Sequence, residues 1–234
     1  MKEDKKSYME DFDSGPGGWW GWRGNHLGLE ALVCTDSAIQ TTGPWWIDYN
    51  HAPPGAGSLH MLFCLNTKGP LGEQMQEIGG RNAFIASGCS RNLENTVVRL
   101  RIRGTVRPRG AQAVLLIQSN VDGLVAPWAL TSQPVAIDSE WSEQELILEP
   151  DPAGWTCLGG RHDRTDYYGE RPLACCLRDV NVNLMLVYFP LTIHPMGDPG
   201  GHPDQLRPER DYPVWRSELP EGRIQMDRFE ILYP

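Results

Sequence analysis

The sequence has no surplus of positive charge, no long apolar run and little helical periodicity. Its formal net charge is −9, whereas sequence-independent binding to nucleic acid needs a basic face that displaces counterions from phosphates. Nucleic acid is therefore not an expected partner. No stretch approaches the roughly 18 consecutive apolar residues that cross a bilayer as a helix, so no membrane span is expected. The start, Met1-Lys2-Glu3-Asp4-Lys5-Lys6, leads to Asp11-Phe12-Asp13 with no apolar segment of the kind that directs secretion, which points to a cytoplasmic location. The six cysteines form no C-x-x-C pair, and the vicinal Cys175 and Cys176 would be strained as a disulfide. Buried free thiols in a reducing compartment are expected, with no zinc site among them. The sequence also lacks a G-x-S-x-G elbow, a phosphate-binding P-loop and a G-x-G-x-x-G after a strand. Glu73, Glu77, Glu94, Glu140 and Glu145 are available to a hydrolase, but nothing sets two of them at the separation such chemistry needs.

What is present is turn chemistry between short apolar alternations. Glycine and proline number 25 and 19 among 234 residues and are scattered, as many short strands joined by turns require. Strands are expected over 29–34, 58–66, 83–87, 95–104, 111–119, 125–130, 141–148, 180–189 and 223–232. Only 72–78 and 173–179 have room for helical turns. Two irregular stretches, 151–171 and 194–222, are long enough to suggest a functional role. Strands without intervening helices pair antiparallel. The expected fold is all-β: a two-sheet antiparallel β-sandwich of the jelly-roll kind, with long loops and at most two short helices. Residues 1–10 read as a polar tail and 11–234 as one domain.

Three segments carry a resemblance. Asp11-Phe12-Asp13-Ser14-Gly15 followed by Gly18-Trp19 opens the domain, Met226-Asp227-Arg228-Phe229-Glu230-Ile231 closes it, and Glu140 to Leu148 lies between. This order resembles the galactose-binding-like and related carbohydrate-binding jelly rolls, in which an opening F-x-S-G…G-W segment packs beside a closing D-x-F/V-x-I strand. The resemblance implies a fold more than a function. In some of those families the two ends hold a structural calcium, and Asp11, Asp13, Asp227 and Glu230 are the positions that match.

Strand alternation sorts the polar side chains. Over 58–66 it sets Leu59, Met61, Phe63 and Leu65 against His60, Leu62, Cys64 and Asn66. Over 97–103 it sets Val98, Leu100 and Ile102 against Arg99, Arg101 and Arg103. Asn181 and Asn183 oppose an apolar set running from Val180 to Tyr188, and Gln118 adds a further polar position. If these strands are neighbours on a concave sheet, His60, Arg99, Arg101, Gln118, Asn181 and Asn183 line one groove suited to sugar hydroxyls, with arginines for a carboxylate or sulfate. Equally, the arginines can be solvent-facing residues of a convex sheet, and His60 an enclosed core histidine.

The densest loop is 43–57, containing Trp45, Trp46, Asp48, Asn50 and His51 between prolines and glycines. Ordered rings that stack on a pyranose, beside groups that bond its hydroxyls, are what a sugar site needs. The tryptophans can instead cap the end of the sandwich. His51 and His60, with Asp48 near, have no spacing diagnostic of a metal. Arg161 and His162 open a charged stretch that ends at Tyr167 and Tyr168; such alternating charges can be simple surface pairs.

Two functions follow. The first is binding of a glycan or other polyhydroxylated ligand through the groove and the aromatic loop. The alternative is a carbohydrate-active enzyme, foremost a polysaccharide lyase acting on a uronate by proton abstraction and β-elimination, with His51, His60, Arg101, Tyr167 and Tyr168 as catalytic groups. The chain resembles jelly-roll lyases in residue types but not in strand motifs. A protein-interaction sandwich anchored by its tryptophans is a third class.

Overall fold

The computed structural model describes residues 7–22, 29–43, 45, 47–48, 58–160, 166–191 and 219–234. Its strands are β1 (Ser7–Glu10), β2 (Trp19–Trp22), β3 (Leu29–Glu30), β4 (Val33–Thr35), β5 (Ala38–Thr42), β6 (Ile47–Asp48) and β7 (Ser58–Asn66). They continue with β8 (Val97–Arg107), β9 (Gln112–Val121), β10 (Leu124–Ala129), β11 (Ser142–Ile147), β12 (Thr156–Cys157), β13 (Asn183–Leu191) and β14 (Glu221–Leu232). Short helices α1 (Glu73–Gly79), α2 (Ala83–Ala86) and α3 (Leu173–Arg178) lie between them.

Two antiparallel sheets form a β-sandwich, as the strand pattern predicts. One runs β11-β8-β14-β5-β4, with β1 also pairing to β14; the other runs β12-β10-β9-β13-β7-β2-β3, with β6 added at β7. The long β14 holds β5 along Arg223–Met226 and β1 along Phe229–Leu232. Ser7–Glu10 is thus a paired strand rather than part of the tail expected over residues 1–10. The expected strand over 83–87 is instead α2. There the Asn82 side chain accepts from the Ile85 backbone at 2.9 Å, and this N-cap satisfies a donor that the first turn leaves free. With α2, the short helices among the described residues exceed the two that were expected.

The core between the sheets is apolar and continuous. Val98, Leu100 and Ile102 of β8 and Ile224, Met226, Phe229 and Ile231 of β14 meet Leu115 and Ile117 of β9, Leu184 and Leu186 of β13, and Phe63 and Leu65 of β7. Trp19 packs edge-on against Phe229 across the layer, with ring centroids 4.7 Å apart. Each such side chain contributes about 1.5–3 kcal/mol when fully removed from water. The other face of the second sheet is also apolar: Met61, Cys64, Val114, Leu116, Met185 and Val187 are buried there with Trp20 and Leu158, and Met75 and Ile78 of α1 pack on them.

Three register shifts break the strict alternation among the described strands, one of them between Tyr188 and Leu191 of β13. Leu186 pairs with Phe63 and Val187 with Met61, so Leu62 is an extra residue on β7. Leu62 and Phe63 therefore both enter the core, while Met61 and Cys64 lie on the opposite face. On β14, Met226 pairs with Ile102 and Arg228 with Arg101, which leaves Asp227 as the extra residue. Each bulge adds one residue and reverses the facing of everything beyond it.

Of the cysteines, Cys64, Cys89 and Cys176 are buried and Cys34 and Cys175 exposed; all six are free thiols, so burial holds for only some of them. No helix among the described residues is long and apolar enough to cross a membrane.

Candidate functional site

At the end of the sandwich where β5 and β8 finish and β14 begins lies a cavity of about 560 Å³. Thr42, Thr105, Glu221 and Arg223 line it from the first sheet, His60 from β7, and Trp45 from the segment between β5 and β6. The register explains the convergence: Arg223 lies opposite Thr42 on one side and Thr105 on the other. Gly222 permits the close packing of this corner. Its φ is +133°, and a Cβ there would collide with the Thr105 carbonyl oxygen.

Trp45 and His60, which the sequence marked separately, are brought together here. Both are only 2% exposed, and their rings lie 5.9 Å apart in an edge-on arrangement. Tyr188, directly opposite His60 on β13, packs 5.6 Å from Trp45. The indole Nε1 of Trp45 donates to the Thr41 hydroxyl at 2.9 Å, which holds the ring in one orientation. Burial pushes the Tyr188 phenol well above its ordinary pKa, so it stays neutral. Glu221 is engaged by Arg107 at 3.3 Å and Arg109 at 3.1 Å, which anchors the carboxylate at the rim. Asp48 is backbone-paired to Leu59 in β6. Trp46, Asn50, His51, Arg161 and His162 lie outside the described residues.

The single groove expected from alternation does not form. His60 turns to the core side because the bulge at Leu62 reverses β7, whereas Arg99 and Arg101 sit on the outer face of the other sheet. There the arginines are neutralised rather than directed at a ligand. Arg99 bonds Glu145 at 2.5 Å and Glu230 at 3.4 Å, and Arg101 bonds Asp227 at 2.6 Å. Arg101 and Arg103 also lie over the Trp141 ring at 5.0 and 4.5 Å, a cation–π stack.

Gln118 and Asn183 do share a face and stand directly opposite each other, with Asn66 on the far side of Asn183. Trp20 donates from Nε1 to the Asn66 Oδ1 at 2.8 Å. Asn181 does not join this row: it bonds the backbone of Asn120 in both directions and donates to Asp179. It staples a strand end.

The expected catalytic set is likewise dispersed. Tyr167 and Tyr168 contact each other edge-on at 4.8 Å and pair by backbone with Val125 on β10, while Arg101 belongs to the opposite sheet and His60 to the interior. The described members of the lyase set do not converge on one surface. The calcium suggested by the resemblance also fails in geometry. Glu230 and Asp227 are bound to arginines, Asp11 is exposed and accepts from the Asp13 backbone at 3.1 Å, and among the described residues no three His, Cys, Asp or Glu side chains cluster as metal ligands.

Thr42, Thr105, Glu221 and Arg223 were absent from the expected site. Their sequence signal is only polarity at strand ends; what unites them is the pairing of β14 with both β5 and β8, two strands far apart in the chain.

No protein-family profile and no curated protein matches this sequence. Among solved structures, the fold is similar to the L4b domain of human laminin alpha-2, with a TM-score of 0.43 and 7% identity over 97% of this chain and 98% of that one.

Proposed function

We propose that this protein is a binding module for a glycan or another polyhydroxylated ligand, held in the cavity beside Trp45 and His60. The observation that carries this reading is the composition of that cavity. An ordered indole and an imidazole form its inner wall, and two threonine hydroxyls, a carboxylate and a guanidinium surround it within about 560 Å³. Binding pockets are concave, of about 300–1,000 Å³, and combine apolar walls with a few fixed polar groups. Thr42, Thr105 and Arg223 are exposed and so are accessible to hydroxyls, and Arg223, which has no ion pair among the described residues, suits an acidic sugar. Kinship with galactose-binding-like domains is part of this proposal.

The test is a glycan array followed by calorimetry on the hits. Thr42→Trp fills the cavity from an exposed position without touching the core. It is expected to abolish binding and leave the melting temperature within a few degrees of the parent. An array without a hit, or a hit bound equally well by Thr42→Trp, overturns the reading.

A further inference from the structure

At the opposite end of the sandwich, Glu10 is largely buried and has no ion pair among the described residues. Glu10 ends β1, is 8% exposed, and lines a cavity of about 320 Å³ together with Gly17, Gly79, Gly80 and Arg81. Its Oε1 accepts one long bond, 3.3 Å, from the backbone of Phe12, and Oε2 has no hydrogen bond among the described residues. Gly17 is what lets the carboxylate sit here: its φ is +61°, and a Cβ would collide with Oε2. A glutamine would cap the same turn without a buried charge. Burial penalises the charged form of this carboxylate, and a cation reaching it through the cavity would offset that cost.

Arg81 lines the same cavity, is exposed, and forms no ion pair among the described residues. An acid and a guanidinium thus line one small space without forming an ion pair among the described residues, an arrangement that suits one ligand carrying both complementary charges. A second cavity of about 440 Å³ shares Gly80, Arg81 and Ala86 with the first, and is walled by Pro70, Leu71 and Ile85. We infer that this double cavity binds a free α-amino acid with an apolar side chain: the ammonium group on Glu10, the carboxylate on Arg81 and the side chain against Pro70, Leu71 and Ile85. This site is separate from the proposed glycan cavity and does not depend on it.

The test is calorimetric titration of the whole protein at neutral pH with L-leucine, 3-methylbutylamine and 4-methylpentanoate, the last two each lacking one charge. L-leucine is expected to bind, each singly charged analogue at least about tenfold more weakly, since a lost charge-assisted bond is worth about 1.5–3 kcal/mol. Glu10→Gln and Arg81→Ala are each expected to weaken L-leucine binding by the same factor, with glycan binding unchanged. The absence of saturable heat from L-leucine, L-isoleucine, L-methionine and L-phenylalanine at millimolar concentration overturns the inference. So does equal binding of an analogue, which is read on the parent protein without any variant, or undiminished binding by Glu10→Gln.

Discussion

His60 lies directly opposite Tyr188 on adjacent strands, and the indole of Trp45 covers both rings at 5.9 and 5.6 Å. Trp45 and His60 of the cavity wall therefore belong to one aromatic cluster with Tyr188 behind them, pinned by the bond from Trp45 to Thr41. Trp45→Phe keeps a ring in place but removes that bond; a loss of about 0.5–1.5 kcal/mol in urea unfolding is expected. Trp45→Ala, which empties the space, is expected to cost about 3–5 kcal/mol.

Leu62 is the inserted residue of the β7 bulge, and its deletion restores plain alternation in the strand. Without Leu62, Phe63 and His60 still face the core and Met61 and Cys64 still face away. The deletion is expected to leave a folded protein weakened by the contacts of one buried leucine, about 2–5 kcal/mol. Deleting Met185 from the regular part of β13 moves every later residue to the wrong face. Far-UV circular dichroism of the two deletions is expected to show native signal for the first and its loss for the second.

The same bulge marks where the sequence stops being readable. Period-two alternation separated Val98, Leu100 and Ile102 from the arginines, because β8 is regular there. It misplaced His60, because nothing in Leu59-His60-Met61-Leu62-Phe63 shows which apolar residue is extra. The apolar residues at 83–87 read as a strand, and the Asn82 cap makes a helix of them instead. Arg101 and His60 looked like partners only while their strands were assumed to be neighbours. Strand order joins residues more than a hundred positions apart, as Arg101 to Asp227, and composition carries no record of it.

Asp179 gives a pH dependence of known sign. Burial disfavours its charge, but hydrogen bonds from Arg91 and Asn181 outweigh this and hold its carboxyl below the ordinary carboxylate value. A group with a depressed folded-state pKa stabilises above its unfolded pKa, and the contribution is lost as pH falls through the folded value. The pair with Arg91 is largely exposed, so its worth is about 0–1 kcal/mol. Asp179→Asn is expected to lower the melting temperature slightly at pH 7 and to converge with the parent in acid.

Glu10 has the opposite sign. Burial raises its pKa despite the Phe12 backbone bond, so the folded state holds the proton more tightly than the unfolded chain. Stability falls as pH rises from the ordinary glutamate value through the raised one. Glu10→Gln is expected to melt higher than the parent at pH 7 and equal to it below the ordinary glutamate pKa, as read by calorimetric melts across pH 3–7.

A polyhydroxylated ligand in the space beside Trp45 and His60 would lie against the Trp45 indole. The indole N–H resonances report on it directly, because Trp45 lies in the cavity wall while Trp141 lies under the arginines on the outer face. In a ¹H–¹⁵N titration with a glycan that binds, the Trp45 indole signal is expected to shift saturably while that of Trp141 stays fixed. Saturable shifts at Trp141 with Trp45 unmoved would contradict the account.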